Sequence, residues 1–488
     1  MMQCSKLQTP SSKLLAPSSS LSVPRRAFLG SGLATLGGVL VPRAVWAAET
    51  PRLRFGVITD VHIGGRKEAP QRLETALRWL DARGIDAVLC CGDVAHTGQI
   101  RQMEQFADIW YKVFPKSGRK VELMISTGNH DAWEMGLAKQ TEENKRKNWL
   151  FYSDNAARTW KRLFDAEWAP VWRKEVKGYT FIGAQWPTFN PDLEGFMKAH
   201  GNEFDPTKPF FFGQHEHPNN TCHGAYACGN DRGQSVRALS PFPNAVAFSG
   251  HSHCTVADER AVWQGAFTSI GAGCLHEGGL QFGYDNCSAF WHPSSKKNLM
   301  APLNDAVAAW GGDPDGGCFL YVEVFERHLM VHRRSTVYDR DIGPAWYVPV
   351  PVADKTFVPA ARAAARVAPQ FAAGAALKVE ICPKGCALES KARKGEPCVR
   401  VTIPNAEPSN GCRVFTYDVA AVCEGKTIVS GKVFAAGFSL PVEEANRPTD
   451  WLVSLKDLPV GKEVIFTATP RECFGKSGIS LQSQSIVL

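Results

Sequence analysis

The chain has 488 residues, enough for two or three domains with cores of their own, and ordinary apolar (44%) and charged (21%) fractions. Its formal net charge is +7, but residues 1–47 hold five of the 55 Lys/Arg and no Asp/Glu, so the remainder is near neutral, at about +2. That balance excludes a strongly basic protein that tracks a nucleic-acid backbone, and no run reaches the roughly 20 uninterrupted apolar residues of a membrane span.

The longest apolar run, Phe28 to Val41, is broken by four glycines. It follows an acid-free Ser/Pro/Lys-rich stretch ending at Arg25-Arg26 and precedes Val45-Trp46-Ala47. This is the layout of a signal peptide cleaved after Ala47. The string Pro24-Arg-Arg-Ala-Phe-Leu-Gly30 resembles the twin-arginine export consensus, with Pro24 and Gly30 departing from its usual flanks. The resemblance implies export in folded form, to a periplasmic or extracellular location. Outside the cytoplasm the cysteines can pair. Cys222 and Cys228 flank a short glycine-containing loop and are expected to bridge, whereas Cys90 and Cys91 lie in an apolar run as small hydrophobes.

From residue 48 apolar runs alternate with helical periods. Leu53–Ile58 reads as a strand, and Leu73, Ala76, Leu77 and Leu80 recur at helical spacing. Strands follow at Ala87–Cys91 and Val121–Ser126, with a helix near Gln102–Val113 between them. This βαβα order predicts an α/β layered domain over 48–355. Further strands are expected at Tyr179–Ala184, Phe210–Phe212 and Ala245–Phe248, with a hairpin over Phe319–Arg333. A polar, tryptophan-rich insertion between Trp133 and Trp186 reads as helical, with a small core of its own. Residues 356–376 are rich in Ala, Pro and Gly and read as a linker. Beyond them, 377–488 reads as short strands such as Val414–Val419 and Val464–Ala468, an all-β sandwich. All polar clusters of interest precede it, so it is expected to be dispensable for chemistry.

Five of these apolar runs end in clusters of possible metal ligands: Asp60-x-His62, Gly92-Asp93, Gly128-Asn-His-Asp131, Gln214-His-Glu-His217 and Gly250-His-Ser-His253. All five thus fall at the carboxyl ends of strands, the ligand-binding edge of an open α/β sheet. The types are hard oxygens and imidazoles without thiolates, which suits Mn, Fe or Zn in an open site. In Asp-x-His and His-x-His, alternate side chains of an extended segment project to one side. Asp93 can bridge two ions with its two carboxylate oxygens, and two ions roughly 3.5–4 Å apart can hold a phosphate and activate water.

In type, order and placement the five clusters resemble the signature of the calcineurin-like metallophosphoesterases, over roughly Leu53 to Ser335. The resemblance implies a four-layer α/β sandwich of two mixed sheets flanked by helices. It implies one metal held by Asp60, His62, Asp93 and His253, and a second by Asp93, Asn129, His215 and His251. His130 is then the acid that faces the leaving group, oriented by a hydrogen bond to Asp131. His217 competes with His215, which is favoured because it directly follows the strand and Gln214. His96, His223 and His276 read as structural or rim residues, the first two close enough to touch substrate. The strings Leu458-Pro-Val-Gly461 and Ala468-Thr-Pro-Arg-Glu-Cys-Phe-Gly-Lys-Ser477 resemble the last strands of fibronectin type III modules, with Val464 where those modules carry a tyrosine.

The function implied is binuclear-metal hydrolysis of a phosphate mono- or diester by metal-bound hydroxide attacking in line. The substrate is a small phosphate ester or a cell-envelope component. Two other readings make different predictions. A carbohydrate or cell-surface binding protein would keep only a vestigial metal site. A nuclease of the same fold would bind DNA in a salt-dependent way.

Overall fold

Alternate residues of β1 (Leu53–Ile58) pack between two sheets. Phe55 meets Phe181, Phe211 and Phe248 at ring-centroid separations of 5.2, 4.8 and 5.7 Å. The structure, a computed structural model, describes residues 34–36, 39–41, 49–132, 137–187, 192–223, 231–276, 317–352, 356–385, 395–407 and 413–488. Residues 1–48 form a unit of their own, in which Ala34–Leu36 and Val39–Val41 pair antiparallel.

After β1 come α1 (Ala69–Asp81), β2 (Ala87–Cys91), α2 (Ile100–Val113) and β3 (Glu122–Ser126). Two more helices, α3 (Glu142–Asn148) and α4 (Asn155–Phe164), precede β4 (Val171–Val176) and β5 (Tyr179–Ala184). Next are α5 (Leu193–His200), β6 (Phe210–Gly213), α6 (Gln234–Leu239), β7 (Ala245–Ser249), β8 (Val262–Gln264) and β9 (Thr268–Gly271). The hairpin β10 (Cys318–Val324) and β11 (His328–Ser335) is followed by β12 (Arg340–Pro349).

These strands make two six-stranded mixed sheets, in the orders β12-β11-β10-β1-β2-β3 and β8-β9-β7-β6-β5-β4. Strands β1 to β3 run parallel to one another, as do β5, β6, β7 and β9. The facing sides of the sheets share one apolar core. The outer side of the first buries Leu73, Ala76, Leu77 and Leu80 of α1 with Met103, Phe106 and Trp110 of α2. The outer side of the second takes Leu193 and Met197 of α5 with Ala238 and Leu239 of α6. Four layers result, the arrangement that the resemblance implied. No described helix is long and apolar enough to cross a membrane.

The tryptophan-rich insertion departs from expectation. Leu150 and Trp160 bury in the same core as α1 and α2, with no separate core among the described residues, and Val171–Val176 is an edge strand. Amphipathic α4 needs an apolar surface, and the exposed side of α2 supplies it. Residues 133–136 lie outside the described part. The stretch read as a linker contains α7 (Pro359–Ala365). Its buried Arg362 reaches Glu259 at 2.9 Å and donates to the Val262 carbonyl at 3.2 Å.

The C-terminal part is all antiparallel β. Strands β13 (Lys378–Cys382), β14 (Cys398–Ile403) and β17 (Thr449–Ser454) form one sheet. Strands β15 (Val414–Cys423), β16 (Lys426–Phe434) and β18 (Glu463–Glu472) form the other, extended by Leu481–Gln482. The core holds Phe415, Tyr417, Phe438, Trp451 and Phe466, and also Cys254, which directly follows His253. Arg260 lies over the Phe415 ring at 4.7 Å, and Arg413 donates to the Ile342 carbonyl. The segment after the last ligand cluster is therefore packed by this part of the chain. A chain ended near Ala376 is expected to melt at lower temperature and to bind metal more weakly than the full chain. Unchanged melting and metal affinity, in the same buffer, would show that 377–488 does not support the segment after the last cluster; dispensability for chemistry is read separately, from hydrolysis of a small ester.

Candidate metal centre

The five clusters meet at one edge shared by the two sheets, beyond the carboxyl ends of β1, β2, β3, β6 and β7. The ladder continues past the strands, with Asp60 N–H donating to Gly92 O at 3.0 Å and His62 N–H to Asp93 O at 2.9 Å. Gly250 N–H donates to His215 O at 2.8 Å and ties the two loops of the second sheet together. Close approach makes two glycines obligatory. A Cβ on Gly128 would collide with the Asp93 carboxylate, and one on Gly250 with Thr59 and Asp60.

Asp60, His62 and His253 form one group of possible metal ligands, and Asp93, His215 and His251 form another. In the first, His62 Nε2 is 3.3 Å from His253 Nε2, which lies 3.0 Å from Asp60 Oδ1. In the second, His215 Nε2 is 3.2 Å from both Asp93 Oδ2 and His251 Nδ1, and 2.9 Å from Asn129 Oδ1. Ligand atoms about 2.1 Å from one ion would lie roughly 3.0–3.4 Å from each other, and the spacings here match that range. The buried Asp60 Oδ1 has no hydrogen-bond partner despite its closeness to His253, which fits a shared ion better than a hydrogen bond.

Asp93 joins the two groups, but through one oxygen. Its Oδ2 lies 3.6 Å from His62 Nε2 and 3.2 Å from His215 Nε2. The other oxygen, Oδ1, accepts the His130 N–H at 2.8 Å. A backbone donor in a buried loop thus occupies one acceptor position of Oδ1, and Oδ2 is the oxygen that lies between the two groups.

Neighbouring groups fix the ligands. His215 Nδ1–H donates to Cys91 O at 2.9 Å, leaving Nε2 for the centre. Asp60 Oδ2 accepts from Thr59 Oγ1 at 2.7 Å and from His251 N–H at 3.0 Å. Of His215 and His217, the first belongs to one of the two groups of possible ligands. His217 lies outside both groups, its Nδ1 2.6 Å from Ser249 Oγ and its Nε2 2.8 Å from Ser252 Oγ. It braces the loop that carries His251 and His253.

Burial and charge divide the imidazoles in the metal-free protein. Burial would lower His215, but the Asp93 carboxylate outweighs it and raises His215 to about 10. Burial lowers His62 to about 4. Burial and then the His215 charge bring His251 down to about 3. Asp93 would be raised by burial, yet His215 holds it below the ordinary carboxylate range. A cation bound in this space would compete with protonation of His215.

The backbone here is unusual. Asp60, His62, Asp93, His251 and His253 all have positive φ, at 52, 49, 52, 64 and 54°. Left-handed backbone is disfavoured for residues with a Cβ and collects at functional sites.

The role expected of Asp131 is corrected. Its Oδ1 accepts from Ala95 N–H at 2.7 Å and its Oδ2 from Gly128 N–H at 2.8 Å. His130 is oriented instead by the His96 carbonyl, 2.8 Å from its Nδ1. Two buried amides compete for Asp131 and win, so it staples the loops after β2 and β3 together. Burial and then Asp93 push Asp131 up to about 7. His223 is buried, 3.6 Å from Asp258, and so leaves the rim. Cys222 is also buried, with Sγ 3.2 Å from Ser269 Oγ, while Cys228 lies outside the described residues. Trp186, which the sequence did not single out, borders the second group at 6.4 Å from His215 and 6.3 Å from His251.

Among solved structures, the chain is similar to a dimetal phosphatase from Danio rerio, at 10% identity over 62% of this chain and 99% of that one (TM-score 0.36). It is similar to purple acid phosphatase PPD1 from yellow lupin (Lupinus luteus) seeds, at 13% identity over 62% and 55% (TM-score 0.36). GAP50, the anchor in the inner membrane complex of Plasmodium, matches at 11% identity over 61% and 88% (TM-score 0.35). No curated protein matches the chain. Residues 53–255, which carry all five clusters, match the calcineurin-like phosphoesterase family, and the chain has the α/β fold of two mixed sheets that goes with it.

Proposed function

We propose that the chain hydrolyses phosphate esters at a centre of two transition-metal ions, Mn, Fe or Zn. The observation that carries this reading is Asp93 Oδ2, poised between two groups of ligands at 3.6 and 3.2 Å. Asp60, His62, Asp93 and His253 would hold one ion, and Asp93, Asn129, His215 and His251 the other. Bound there, the pair would supply an activated water and offset phosphoryl charge. His130 faces the same space, its ring 4.5 Å from that of His62, and is the group that protonates a leaving alkoxide. Metal analysis with hydrolysis of a panel of mono- and diesters tests the proposal. Two ions per chain and turnover of at least one class are expected. An inactive protein with one ion or none would favour the binding-protein reading.

The Arg25-Arg26 pair and weakly apolar run support export by the twin-arginine route. Replacing both arginines by lysine is expected to leave the precursor inside the cell, as read by fractionation. Normal export of that variant would exclude the route.

A further inference from the structure

A second set of imidazoles adjoins the centre. His62, His96 and His130 offer nitrogens within 4.8 Å of one another. His96 lies in the middle of a stack, 5.2 Å from His130 at 27° and 5.7 Å from His276 at 19°, with its ring edge toward His62. The far end of the stack is fixed, since His276 is buried and its Nε2 accepts the Arg66 N–H at 3.0 Å. The His96 backbone is fixed too. Its N–H donates to Ile63 O at 3.1 Å, and the preceding Ala95 N–H is held by Asp131.

His96 Nδ1 is 3.3 Å from His62 Nδ1. His62 turns its other nitrogen, Nε2, toward Asp93 Oδ2 and His253. A neutral imidazole that gives Nε2 to a cation carries its proton on Nδ1. That proton then points at His96 Nδ1, which must accept it. Ligating histidines generally have such an acceptor, and its loss weakens metal binding.

We infer that His96 is a positioning residue, whose ring holds His62 in the tautomer and orientation needed for one of the two metal sites. The inference rests on the binuclear reading proposed above. Its main chain meanwhile orients His130, a hydrogen bond that side-chain substitutions leave in place.

Two variants separate acceptor from stack. His96→Phe keeps a ring between His130 and His276 but accepts nothing. His96→Asn supplies an acceptor oxygen near the Nδ1 position without the ring. Metal affinities are read by competition with a chelator, and metal content by elemental analysis. Wild-type protein binding fewer than two ions would sink the binuclear reading itself, whatever the variants do. Given two ions, His96→Phe is expected to weaken one of them by about 10–100-fold and spare the other. His96→Asn should bind both within a few-fold of wild type. Equal weakening in both variants, or loss only in His96→Asn, would overturn the inference in favour of stacking. No change in either would also overturn it. A third ion that disappears in His96→Phe would make His96 a ligand instead.

Discussion

Asp93→Asn is expected to lose tight binding of both metal ions and about 10³-fold or more of turnover, the scale of several kcal/mol of charge stabilisation. The change is nearly isosteric, so its effects come from charge and donor number. Asp93 is buried, and its Oδ2 stands between the two ligand groups. An amide can replace the acceptor at Oδ1 and keep the His130 N–H bonded. It cannot offer a negative oxygen to two cations at once. His215 should also fall back from its raised pKa, because the carboxylate that outweighs its burial is gone. The decisive measurement is metal content against chelator concentration, alongside turnover. Loss of one ion with the other unaffected would show that Asp93 serves a single site, and full activity would discard the two-ion reading.

His130→Ala should keep both ions and lose about 10²–10⁴-fold on an alkyl phosphate ester, the usual scale of general acid catalysis. The His96 carbonyl takes the proton on His130 Nδ1, so the acid role falls to Nε2. Alkoxides need a proton as they leave, whereas a nitrophenolate hardly does. The loss on a nitrophenyl ester should therefore be distinctly smaller. Equal losses on the two esters would mean that His130 steadies phosphoryl charge. Loss of metal would make it a ligand. Asp131→Asn provides a contrast: since Asp131 staples two loops and does not orient His130, its effect should fall on stability and metal affinity, with no dependence on the leaving group.

The fold was legible wherever an apolar run was long enough to be buried on both faces. Leu53–Ile58, Ala87–Cys91 and Tyr179–Ala184 read as strands for that reason. Val171–Val176 did not, because an edge strand reading Val-Trp-Arg-Lys-Glu-Val needs only one buried side. At the centre, residue type and strand-end placement were enough to collect Asp60, His62, Asp93, Asn129, His130, His215, His251 and His253 in one pocket. Spacing could not assign the partners. Asp131 and His130 are adjacent in sequence, yet their side chains answer to different loops. His217 is separated from His215 only by the two serines that bond it. Nor could a lone Cys254 announce that it belongs to the C-terminal core.

The five left-handed residues of the two candidate ligand groups carry a consequence for anyone who selects this protein for heat resistance. At roughly 1 kcal/mol each they amount to several kcal/mol, a sizeable part of the net stability of an ordinary domain. Glycine at Asp60, His62, Asp93, His251 or His253 would relax the backbone and remove a ligand in the same step. A screen that scores only survival of the metal-free chain would therefore enrich inactive proteins at these positions. A screen run with metal present would penalise the same substitutions.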